Sequence, residues 1–149
     1  MSQPRGLPRR IAVNVKAKLV MAGFLALSAA DVGLWATFTP RSFYRSFPLP
    51  GHHWVALAGP YDEHLVRDVG GLYLALLVIT VWVAVRPTAD TLRMVGSGWL
   101  VFHLAHLAFH LDHLDGLSTA DKIGNVVSLS AVLLLALVLV LPERRAAID

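Results

Sequence analysis

The run Trp99-Leu-Val-Phe-His-Leu-Ala-His-Leu-Ala-Phe-His-Leu-Asp-His113 places His103, His106, His110 and His113 in one apolar segment, at spacings of three, four and three. On a helix at about 100° per residue, the four imidazoles fall within an arc of roughly 80°, spread over about 15 Å of axis. The apolar positions around them fill the rest of the circumference, so the segment reads as a helix made for hydrocarbon rather than for a water-facing surface. An imidazole buried in a membrane needs a partner. Four in one stripe therefore point to a site.

The rest of the chain agrees with a membrane setting. Of 149 residues, 56% are hydrophobic and only 15% charged, against about 25% charged in ordinary soluble domains. The mean hydropathy is +0.60. Four apolar stretches, 19–38, 65–85, 94–111 and 123–141, each approach the ~20 residues that a spanning helix needs. Pro40, Pro87 and Pro142 punctuate three of their ends. Residues 112–122, with Gly116, Ser118 and Thr119, form the turn between the third and fourth, and Ser118 or Thr119 can cap the fourth. The expected fold is an all-α, integral membrane four-helix bundle in a single domain.

Basic residues set its expected direction. Arg5, Arg9, Arg10, Lys16, Lys18, Arg86, Arg93, Arg144 and Arg145 lie on one side of a four-span model, and only Arg41, Arg45, Arg67 and Lys122 on the other. The excess marks the cytoplasmic side and puts both termini there. Ala-Leu-Ser-Ala-Ala before Asp31 resembles a signal-peptide cleavage site. The apolar run resumes at Val32 and reaches spanning length, which favours an uncleaved first span. The pI near 9.7 arises from these flanking residues and not from a basic patch with interleaved aromatics, so no nucleic-acid footprint is present.

The chain has no cysteine. Disulfides, thiolate metal sites and iron–sulfur clusters are excluded, and a bound metal would use imidazole and carboxylate, as iron, zinc, copper and manganese do.

With both termini inside, all four spans bring polar groups to the outer half of the bilayer. Asp31 lies about 12 Å below the outer end of the first span. Glu63, His64, Arg67 and Asp68 stand at the mouth of the second, and Asn125 and Ser128 in the first turns of the fourth. These groups are expected to face inward and satisfy one another, because an unpaired charge near the bilayer centre costs about 2.5–3.5 kcal/mol.

His106 and His110, one turn apart, are the leading metal ligands. His103, His113, His64, Asp68 and Asp31 are candidates for the remaining positions, with Glu63, Arg67 and Asn125 as groups that orient them. Haem is the alternative cofactor, held axially by His64 and either His106 or His110. Arg67 either holds an anionic ligand or pairs with Asp31 or Glu63. Asp31 is a ligand, an acceptor for an imidazole N–H, or the counter-ion of Arg67. A hydrogen-bonded structural network of His, Asp and Arg is the simplest competing reading. His52 and His53 lie in a loop of prolines and aromatics, residues 40–61, either folded over the site or solvated. Trp35, Trp82 and Trp99 suit packing or interface anchoring. Gly70-Gly71 and Gly96-Ser97-Gly98 suit close helix approach.

Two resemblances follow from these residues. The His-x-x-x-His and His-x-x-His spacings resemble fragments of the histidine boxes of membrane di-iron desaturases and hydroxylases. The layout from Leu19 to Leu141 resembles small four-span bacterial membrane proteins of the DoxX-like type. It is carried by Asp31-Val-Gly-Leu-Trp late in span one, by Pro40-Arg-Ser-Phe-Tyr-Arg-Ser-Phe-Pro after it, and by a Gly-Gly-containing second span. The second resemblance implies a four-helix bundle in a bacterial plasma membrane and a link to membrane redox or quinone chemistry. It supplies no catalytic residue.

The functional expectation is a His/Asp-lined, metal-binding site with redox or hydroxylase-like activity on an apolar substrate or quinone. The alternatives are a haem b protein, a non-catalytic accessory subunit, or a proton- or ion-handling channel formed as a homo-oligomer.

Overall fold

The computed structural model describes residues 13–143. Arg5, Arg9, Arg10, Arg144 and Arg145 lie outside the described residues. Five helices follow one another: α1 (Val15–Phe38), α2 (Pro40–Ser46), α3 (Glu63–Val85), α4 (Ala89–Asp112) and α5 (Thr119–Val140). All but α2 are long and apolar enough to cross a membrane.

Caps, not hydropathy, decide where the long helices begin. The Asn14 side chain accepts from the Lys16 amide at 2.8 Å, and that of Asp62 from Leu65 at 3.2 Å. Thr88 and Thr91 cap α4 reciprocally. Ser118 caps α5 through the Asp121 amide at 3.1 Å. Each cap satisfies amides that the first turn leaves without a carbonyl. The helices therefore start two to five residues before the apolar runs read from the sequence. Pro40 opens α2 as well as closing α1, since the first helical position needs no N–H.

The long helices pack as two pairs. The α1–α3 interface is the most extensive and α4–α5 the next, whereas α3 meets α4 and α1 meets α5 more sparingly. The pairs join at the end where Val13 N–H donates to the Pro142 carbonyl at 2.8 Å. There Leu25, Val83, Leu92, Trp99, Ala136 and Leu139 form one buried core drawn from all four helices. At the opposite, distal end the core is different. Ala36, Phe43 and Val66 pack with Trp35, Phe47, Val55 and Tyr61, all from α1, α2, α3 and the loop before α3. Neither α4 nor α5 contributes, so the two pairs diverge toward that end.

Lys18 is fully buried at the joined end. Its ammonium donates to the Leu139 carbonyl at 2.9 Å, to the Leu141 carbonyl, and to Glu143 Oε1 at 2.9 Å. It thus closes the C-terminus of α5, where carbonyls lack amide partners. Outward, Phe24, Leu27, Val78, Val85, Val101 and Leu134 are exposed around the bundle. So much exposed apolar surface is unfavourable in water and suits lipid.

Candidate functional site

The divergence of the helix pairs leaves a cleft of about 670 Å³ at the distal end, lined from α1, α3, α4, α5 and the α2–α3 connection. His103, His106 and His110 come from α4, Asp31 from α1, Tyr73 from α3 and Asn125 from α5. Most of the remaining lining is aliphatic or aromatic.

The three imidazoles are not equivalent. His103 is buried and stacks on Trp99 with ring centroids 5.1 Å apart. Its Nδ1–H donates to the Trp99 carbonyl at 3.1 Å, which leaves Nε2 as an acceptor facing the Tyr73 hydroxyl at 3.5 Å. Trp99 in turn donates its indole N–H to Thr80 Oγ1 at 2.9 Å. Both nitrogens of His103 are therefore engaged in a buried chain that ties α3 to α4. His106 stacks on Phe102 at 5.3 Å, and its ring centroid is 4.6 Å from that of His110. Neither His106 nor His110 hydrogen-bonds to another described residue. They are the imidazoles free to meet a ligand.

His113 stands past the end of the cleft lining. Helix α4 ends at Asp112, and His113 is its C-cap, with φ −126° and ψ 43°. Its ring lies on Phe109 at 4.0 Å with Nδ1 on the Phe109 carbonyl at 2.8 Å. Of the four expected imidazoles, three line the cleft.

The second-span cluster also lies elsewhere. His64 pairs with Asp68 at 3.4 Å, both on an exposed flank. Arg67 donates from Nε to Glu63 at 3.0 Å and from its terminal nitrogen to the Thr37 carbonyl, closing the C-terminus of α1. None of these four residues lines the cleft. The cause is helical phase. Leu65, Val66, Val69 and Tyr73 form the cleft-lining face of α3, and His64 and Asp68 project roughly opposite to Val66 and Tyr73 at about 100° per residue. The expected His64–imidazole pairing across a haem is not assembled. Among the described residues, no three His, Asp or Glu side chains form a group arranged to hold a metal ion.

Besides His106 and His110, two groups at the cleft lack protein partners among the described residues. Asn125 is only 2% exposed, and its side-chain oxygen has no hydrogen-bond partner. Asp31 forms no ion pair among the described residues. A buried polar atom without a partner is uncommon in folded proteins and invites an explanation.

The loop closes over this cleft through residues that hydropathy does not single out. Asp121 Oδ1 accepts from the Trp54 indole at 2.8 Å and pairs with His52 Nδ1, while Ser118 Oγ donates to Oδ2 at 2.7 Å. Trp54 lies over Gly124, where a Cβ would come within 3.1 Å of its ring. His52 thus anchors the loop, and exposed His53 bonds the Arg45 carbonyl at 2.6 Å. The Ser118-x-x-Asp121 spacing, a helix-start signature, is the sequence signal for this anchor. Replacing Asp121 with alanine removes charge-assisted hydrogen bonds and is expected to release the loop. Amide exchange across residues 52–58 would then quicken by more than about tenfold, and an unchanged exchange rate would show that Asp121 does not hold the loop.

No protein-family model, curated protein or solved structure matches this chain.

Proposed function

We propose that the chain is an integral protein of a bacterial plasma membrane with both termini cytoplasmic, and that its outer-leaflet cleft binds an apolar molecule by its polar head. His106, His110, Asp31 and Asn125 would engage the head, and the apolar walls its body. The observation that carries this reading is the buried, partnerless Asn125 oxygen beside a large, mostly apolar cleft. Ligand sites commonly combine apolar walls with a few converging polar groups. The Val13–Pro142 bond and the basic residues Lys16, Lys18, Arg86 and Arg93 on that side support the orientation.

Photolabelling tests it. Dodecanol carrying a diazirine on its chain is expected to label Trp54, Phe109 and Leu129, to be displaced by excess unlabelled dodecanol, and to label Asn125→Leu about tenfold less, the weight of one hydrogen bond. Labelling confined to outward residues such as Phe24 and Val101, with no displacement, would sink the reading.

A second reading rests on His106 and His110, which stand one turn apart with free ring nitrogens. They would hold a transition metal, completed by ligands outside the described groups, and so support redox or hydroxylating chemistry on the same molecule. Stoichiometric metal that disappears in a His106→Ala, His110→Ala double variant favours it. Absence of metal after reconstitution with iron, zinc, copper and manganese counts against it.

A further inference from the structure

We infer that the cleft selects a lipophilic cation, such as a protonated long-chain or aromatic amine. The inference rests on the cleft being a ligand site, and it specifies the ligand's charge.

The charge inventory is one-sided. Asp31 and Asp62 line the cleft, and no Lys or Arg does. The chain carries a net charge of +3, so the exclusion is not for want of basic residues. Four are described at this end, Arg41, Arg45, Arg67 and Lys122, and none lines the cleft. Arg67 is held by Glu63 and the end of α1. Arg41 lies 5.6 Å over the Tyr61 ring. Asp31, exposed on α1, therefore offers the cleft a carboxylate with no ion-pair partner among the described residues.

The hydrogen-bonding groups admit the same ligand. Asn125 has a buried side-chain oxygen without a partner, and the imidazoles of His106 and His110 can each present an accepting ring nitrogen, so an ammonium finds acceptors here. The walls agree as well. Phe43, Tyr44, Phe47, Trp54, Tyr73 and Phe109 give the cleft an aromatic lining, and aromatic faces attract cations through the ring quadrupole. An anionic amphiphile would meet Asp31 with like charge and find no cation.

Competition against the diazirine-dodecanol label, in detergent at neutral pH, separates the outcomes. Dodecylammonium is expected to compete about tenfold better than dodecanol. In Asp31→Asn that ratio should fall to about one, and Asp31→Glu should restore it, which distinguishes loss of charge from loss of fold. Comparing ratios between variants cancels micelle partitioning. Equal competition by dodecylammonium and dodecanol would overturn the cationic preference and leave the cleft as a site for neutral amphiphiles. A ratio that survives Asp31→Asn would overturn the role of that carboxylate. Failure of every probe to displace the label would overturn both the preference and the ligand-site reading.

Discussion

Gly96→Leu is expected to force α4 and α5 apart and to lower stability by about 3 kcal/mol, near the upper end for overpacking a well-filled contact. A Cβ at Gly96 would stand 2.7 Å from the Leu139 Cβ and 3.0 Å from the Ala136 carbonyl oxygen. Neither atom is the tip of a flexible side chain, so the helix axes themselves must shift. Ala136 and Leu139 belong to the buried core with Leu92 and Trp99, and separating the pair would loosen that whole layer. Small residues at such crossings let helices approach closely in a membrane, where association depends on packing rather than water exclusion. Gly98, one half-turn on, supplies the control. A Cβ there meets nothing within 4 Å, and Gly98→Ala should be neutral or gain up to about 1 kcal/mol in helix propensity. Equilibrium unfolding in mixed micelles measures both. Equal stabilities for the two variants would contradict the α4–α5 contact described above.

Lys18→Met is expected to cost about 3 kcal/mol, comparable to breaking one side of a buried ion pair. The methionine fills similar space but withdraws the donor from the Leu139 and Leu141 carbonyls and the counter-charge from Glu143. Lys18 is completely buried, whereas the Glu143 side chain is 17% exposed, so water can relieve the acid more easily than the carbonyls. Glu143→Gln should accordingly cost less than about 1 kcal/mol, since the ammonium keeps its carbonyl bonds. The same unfolding assay, with proteolysis of the C-terminal turn as a second readout, checks the pair. A Lys18→Met variant as stable as the parent would show that the C-terminus of α5 does not depend on this lysine.

Lys18 also shows where reading the chain linearly falls short. As a basic residue before an apolar run it counts toward topology, and it does lie at the end shared with Arg86 and Arg93. Its side chain nevertheless closes a helix more than a hundred residues away. No local pattern encodes that contact. Arg67 is similar, because its bond to the last turn of α1 depends on α1 packing against α3.

The cleft was partly legible. Asp31, His103, His106, His110 and Asn125 were expected to share a polar layer, and all five line one cavity. Depth identified them, and depth alone also admitted His64, Arg67 and Asp68. Helical phase removes those three, since Val66 and Tyr73 occupy the inward face of α3. His113, at the C-cap of α4, stays outside the lining. Tyr73 and Trp54 are not legible in the sequence, because an isolated aromatic carries no period, and their roles arise when α3, the loop and α5 meet.

The sequence by itself determined the four long apolar helices, the residues able to cap them and the imidazole-bearing face of α4. These depend on hydropathy, local hydrogen bonding and a rise and turn common to all α-helices. The tertiary structure alone decided that the helices pair two by two, that the pairs join around Trp99 and part beyond His103, and that the Asn125 side-chain oxygen is buried beside the gap without a partner. Those outcomes depend on which side chains interlock between elements distant in the chain, such as Gly96 against Leu139 and Gly70 against Thr37, and the spacing of residues along one helix does not contain that information.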